Sequence, residues 1–140
     1  MNNELIQIGK LLAESKKIAV VGISRNPHKT SRGIAEFLID KGYEVVGVNP
    51  GFGPGDANGI KIYSTLTDIP FEIDIVDVFR RSEDIPDLID DVLAIKPKVL
   101  WLQQGIKNDM AVQPVIDAGI ITIQDKCIMV YYNLTKQSQS

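Results

Sequence analysis

The stretch Lys17-Ile-Ala-Val-Val-Gly22-Ile-Ser-Arg25-Asn-Pro-His-Lys29-Thr-Ser31-Arg-Gly33 decides the fold. An apolar β-branched run leads to a turn at Gly22 and then to the start of a helix, the order in which a parallel strand hands the chain to a crossover helix. A glycine there lets the backbone turn sharply, and the helix beyond presents unpaired N–H groups to an anion. The stretch reads as a phosphate cradle.

Charge supports the cradle. No acidic residue lies between Glu14 and Glu36, whereas Lys16, Lys17, Arg25, Lys29 and Arg32 all fall there, a local +5 with His28 neutral. The 140-residue chain is −3 overall, from 15 basic and 18 acidic residues, so the remainder sums to −8. A basic island in an acidic protein suits a compact anionic ligand, because nucleic acid wants an extended basic face. Two later helices place acids in their first turn, Glu83, Asp84 and Asp87 in one and Asp109 in the other, to offset the macrodipole. The helix after Gly22 has Thr30 or Ser31 for a cap and Arg32 in its first turn, with no acid, which leaves room for a phosphate.

With 44% hydrophobic and 24% charged residues the composition is that of one soluble domain. Without a run of about 18 apolar residues no membrane span is expected. The opening Met-Asn-Asn-Glu-Leu-Ile lacks a basic n-region and apolar block, and Cys127 is the single cysteine, so a reducing cytoplasmic setting is expected.

Along the chain, residues 1–15 contain an amphipathic helix on Leu5, Ile8, Leu11 and Leu12, expected to pack on the sheet or on a partner subunit. Strands are expected at 17–22, 43–48, 73–79, 98–102 and 120–124, with a short further strand possible at Ile60–Tyr63. Helices are expected at 31–41, up to about residue 95, and after Asn108, where Pro114 marks a break or a true start. Residues 127–134 form a short helix or an extended tail, and 135–140 a frayed end. Asn49 to Gly59 is so rich in glycine and proline that it reads as an irregular loop, either a lid or a plain connection.

Alternating strands and helices without repeat or linker make residues 1–140 one α/β domain, a doubly wound parallel five-stranded sheet of order 3-2-1-4-5 with 73–79 as third strand. Ligands of such sheets bind beyond the carboxyl ends of the strands at the point where the winding reverses. Residues 22–31, 49–50, 79–80, 101–105 and 125–127 therefore hold the candidate site.

Each strand end limits the chemistry. A dinucleotide site wants an acid after the second strand, where this chain has Val48-Asn49-Pro50. Asn49 suits a base, a ribose or simply a turn. A phosphoacceptor site needs carboxylates after the first and third strands, and those places read Gly22-Ile23-Ser24 and Phe79-Arg80. No arrangement of His28, Cys127 and acids suggests a metal site or a triad, and Asp74 and Asp77 read as structural groups. Trp101 suits a flat ligand wall or core packing, and Cys127 beside Lys126 suits a small buried group, a ligand contact or thiol exchange.

Together, Val21-Gly-Ile-Ser24, Val48-Asn-Pro50, Val78-Phe-Arg-Arg-Ser82, Trp101-Leu-Gln-Gln-Gly105 and Asp125-Lys-Cys127 resemble, in order and spacing, the small bacterial and archaeal CoA-binding proteins. These are single Rossmann-like domains similar to the CoA-binding domain of the succinyl-CoA synthetase α subunit. The resemblance covers residues 15–132 and implies coenzyme A or an acyl-CoA as ligand. It implies Gly22, Ile23, Ser24 and Arg25 around the diphosphate, with Lys29 and Ser31 nearby, and Asn49 and Pro50 beside the adenosine. Phe79 and Arg80 would line the adjoining groove. Trp101, Gln103 and Gly105 would follow the pantetheine, with Asp125, Lys126 and Cys127 at its outer end. Where the family often carries a Glu-His pair this chain has Val130-Tyr131-Tyr132, and ligase domains are absent. The expectation is a noncatalytic module whose partner is a small molecule, not nucleic acid or membrane, with a homo-oligomer or a protein partner compatible. The alternative is an NAD(P)-binding oxidoreductase or redox sensor using the same cradle.

Overall fold

The computed structural model of the protein describes residues 3–26, 28–51, 55–57 and 59–139, with the backbone alone at 55–57 and 137–139. Its strands are β1 (Lys17–Val21), β2 (Glu44–Val48), β3 (Gly55–Ala57), β4 (Ile60–Tyr63), β5 (Ile75–Val78), β6 (Val99–Leu102) and β7 (Ile121–Ile123). Its helices are α1 (Asn3–Glu14), α2 (Thr30–Asp40), α3 (Ile89–Ile95), α4 (Asp109–Asp117) and α5 (Ile128–Gln139). The strands form one sheet in the order β3-β4-β2-β1-β5-β6-β7, parallel throughout except for the antiparallel β3–β4 pair.

The expected Rossmann-like order 3-2-1-4-5 is present with β4 as the third parallel strand, and β7 makes a sixth. The segment 73–79, read from the sequence as the third strand, instead lies beside β1 as β5. The reason is the short Ile60–Tyr63 run. Ile60 and Ile62 are buried while Lys61 is exposed, so β4 alternates correctly to take the seat next to β2. The winding therefore reverses between β4 and β5, and β1 and β5 flank the switch point.

Alternate residues of β1 serve two cores. Ile18 and Val20 pack with Ile8, Leu12, Ile34, Leu38 and Ile128 of α1, α2 and α5. Ala19 and Val21 pack on the opposite face with Leu88, Ile89, Val92, Val112 and Val115, carried by the 3-10 segment Ser82–Leu88, α3 and α4. Burial on both faces is why β1 and β5 read as unbroken apolar runs around the single acid Asp77.

Three local features differ from the sequence reading. Gly55–Ala57 pairs with the open edge of β4, where an irregular loop was expected; residues 52–54 and 58 of that loop lie outside the described residues. Pro114 sits inside α4 without breaking it, because the bond it forgoes is that of the Met110 carbonyl, whose residue is 89% exposed and open to water. α5 continues to Gln139, past the expected start of fraying at 135, and Ser140 lies outside the described residues.

Candidate functional site

At the switch point the end of β1 and the chain after β5 touch. Gly22 adopts φ +85°, and a Cβ at that position would run into the Phe79 carbonyl oxygen. Only glycine meets both demands, the left-handed backbone and the close approach. Gly22 N–H donates to Val48 C=O at 2.8 Å and Phe79 N–H to Val21 C=O at 2.8 Å, so the turn is fixed to the strands on either side. Beneath it, Gly47 of β2 makes room for Ile23, whose Cγ2 would lie 2.7 Å from any Cβ there. That glycine escapes sequence reading because it belongs to a neighbouring strand.

The loop is held by its own polar groups. Ser31 Oγ accepts from Ser24 N–H at 3.1 Å, Ser24 Oγ from Asn26 N–H at 3.0 Å, and Asn26 Oδ1 from His28 N–H at 2.9 Å. Ser31 therefore serves the loop instead of capping α2. Lys29, extended at φ −81° and ψ 145°, occupies the cap position with no side-chain acceptor, and the first turn holds no acid. Arg25 and Lys29 are exposed beside this helix start, while Arg32 is buried and pairs with Glu36 at 3.5 Å. No acid stands in the first turn to offset the helix dipole here.

A cleft of about 470 Å³ opens next to the cradle. Thr30 and Ile34 of α2, Phe79 after β5, Gln103 and Ile106 after β6, and Cys127 wall it. Gln104 and Cys127 also border a second hollow of about 310 Å³ with Asp125, Lys126 and Tyr131, so the two adjoin along the carboxyl edge. Their volumes are those of small-molecule sites. A third hollow of about 170 Å³ brings Pro50 and Arg80 together with Ser64, Thr65, Asp87 and Asp91. Arg80 thus lies with Pro50, apart from the cleft that Phe79 lines.

Several expected contact residues are engaged in holding the site together. Trp101 is fully buried in the core and donates its indole N–H to Lys126 C=O at 2.8 Å, so it supports the rim from beneath. The cause is that β6 is buried on both faces, with Trp101 packed into one core and Leu100 and Leu102 into the other. Asn49 donates to Ile23 C=O at 2.9 Å and accepts from Gly51 N–H at 2.9 Å, tying β2 to the cradle with both ends of its amide. Asp125 accepts from Gly105 N–H at 2.7 Å, and Lys126 reaches Glu4 of α1 at 3.6 Å.

The two strand acids part company. Asp74 sits at the opposite, amino edge, where burial raises its pKa but the N–H groups of Lys16 and Lys17, at 2.8 and 3.0 Å, and Lys98 at 3.5 Å bring it below the usual carboxylate range. It is the structural group expected. Asp77 lies fully buried in β5 between Val20 and Trp101, and burial pushes its pKa up to about 7 against the opposing pull of the Gln103 amide. Its Oδ1 accepts from Gln103 Nε2, and among the described residues its Oδ2 has no partner.

Among the described residues no cluster of three or more His, Cys, Asp or Glu suits a metal ion, and no helix is long and apolar enough to cross a membrane. The model of the CoA binding domain family matches residues 16–133. Bacillus subtilis YneT is 41% identical over 135 residues, covering 96% of this chain and 98% of that protein. The α subunit of acetate–CoA ligase (ADP-forming) I from Pyrococcus furiosus is 30% identical over 112 residues, 77% of this chain but 21% of the subunit. A solved Thermus thermophilus protein, ID.343, superposes with a TM-score of 0.88 at 32% identity, covering 96% of this chain and 99% of that one. A switch-point cradle of this geometry and a family match over nearly the whole length lead to one assignment: the chain belongs to the CoA-binding domain family.

Proposed function

We propose that the protein is a single-domain, noncatalytic module that binds coenzyme A or an acyl-CoA, with the diphosphate on the Gly22 loop and the start of α2. The observation that carries this reading is the helix start itself: extended Lys29 supplies no cap acceptor and the first turn has no acid, while Gly22, packed against Phe79, fixes the turn that leads into it. An anion completes such an end. The fit extends to the rest of the ligand. Arg25 and Lys29 suit a diphosphate and a 3′-phosphate. The cleft of about 470 Å³ that runs from Thr30 to Cys127 suits a slender, partly apolar arm. Cys127 at its far end is where the ligand thiol would arrive.

Thermal melting with CoA, NADH and NADPH tests the reading. CoA is expected to raise the melting temperature, the nicotinamide nucleotides to leave it unchanged, and Arg25→Glu combined with Lys29→Glu to abolish the CoA effect. No shift with CoA well above micromolar concentration would overturn the proposal.

A further inference from the structure

We infer that Asp77 sets which face of the Gln103 amide the cleft presents, making Gln103 Oε1 the acceptor for an amide N–H of the pantetheine arm. The inference deepens the CoA reading and rests on it for the identity of the ligand. Gln103 Nε2 donates to Asp77 Oδ1, and once ionised the carboxylate can only accept, so ionisation of Asp77 is what fixes Nε2 on its side. The amide oxygen then points elsewhere. Gln103 lines the cleft while being 3% exposed, so its amide is held rigidly at a wall that a ligand would touch. The pantetheine arm of CoA carries two secondary amides, each an N–H donor.

A purely structural Asp77 accounts poorly for what surrounds it. The residue is fully buried in the middle of the sheet, one carboxylate oxygen lacks a partner among the described residues, and an apolar residue of similar volume would remove that cost. No charged side chain figures among the influences on it. On the helices covering the same face, Arg32 of α2 pairs with Glu36, Glu4 of α1 with Lys126, and Lys136 of α5 lies over Tyr132. Cys127 is the titratable group of the adjoining cleft. Among the described residues, Gln103 is thus the polar side chain to which the Asp77 carboxyl is hydrogen-bonded.

Two measurements test this. In the ligand-free protein, the NMR signals of the Gln103 side-chain amide should move with a midpoint near pH 7, following Asp77, and Asp77→Asn should make them pH-independent. Calorimetry should show Asp77→Asn and Gln103→Met each weakening CoA about tenfold, with no further loss in the double variant, while binding of 3′-phospho-ADP is unchanged. An amide signal that stays flat across the titration, or equal losses for CoA and its nucleotide half, would overturn the role of Asp77. Failure of the wild-type protein to bind CoA would overturn the proposed function and the ligand assigned to Oε1, whereas the amide titration, which needs no ligand, decides separately whether Asp77 controls Gln103.

Discussion

α2 and α4 begin at the same edge of the same sheet, yet their first turns are built in opposite ways. Asn108 caps α4 by accepting from Ala111 N–H at 3.1 Å, Asp109 stands in the first turn, and Gln124 accepts from Asn108 N–H at 2.8 Å. Lys107 approaches Asp109 at 3.9 Å, so the charge added at that end is itself balanced. At α2 the cap residue is a lysine without an acceptor, the first turn has no acid, and Ser31 has turned its hydroxyl to the loop. One helix closes its dipole with its own side chains; the other has no such cap or acid, the difference on which the proposed ligand site rests. The same fold thus contains its own control.

The largest effect should come from the junction that makes α2 different. Gly22→Ala must adopt φ +85° and displace Phe79, at a cost of about 4 kcal/mol, and denaturant melts should show it together with lost CoA binding. Next comes Asp77, whose raised pKa makes folding stability fall as pH rises from about 4 to about 7, by at most about 4 kcal/mol, and then level off. The sign follows because the unfolded chain ionises this acid first and is favoured across that window. Asp77→Asn should flatten this part of the stability profile and stabilise the protein above pH 7.

Smaller changes exchange the two helix starts. Lys29→Asp gives α2 the cap and acid that α4 already has; ligand-free stability should rise by about 1 kcal/mol while CoA affinity falls about a hundredfold. Asn108→Ala is the converse, costing about 1 kcal/mol in a melt and leaving CoA affinity unchanged. A Lys29→Asp protein that bound CoA normally would erase the contrast between the two ends.

Much of this was legible in the residues because local chemistry decides it. The apolar run into Gly22, the acid-free start of α2 and the acids at Glu83, Asp84 and Asp109 report the carboxyl-edge design directly. The parts that were not legible depend on partners distant in sequence. Ile60–Tyr63 became the third parallel strand because β2 offered it an edge, which moved 73–79 to the side of β1. The hydrogen bonds of Trp101 to Lys126 and of Asn49 to Ile23 and Gly51 join segments far apart in sequence or across a turn, and no motif announces them. Thr30 and Gln104 line the clefts from within the expected segments 22–31 and 101–105, whereas Ile34 and Ile106 lie just outside them, with position near a helix start or strand end as their only signal. The pairing of Asp77 with Gln103 spans two adjacent strands, and neither residue alone announces it.

A titration of the isotopically labelled protein with CoA, following backbone amides by NMR, bears most directly on the contrast between the two helices. Saturable shifts at Gly22, Thr30, Ser31 and Arg32, with Asn108 to Ala111 unmoved, are the predicted result. Shifts confined to other parts of the chain, with the amides at the start of α2 unchanged at saturating CoA, would contradict it.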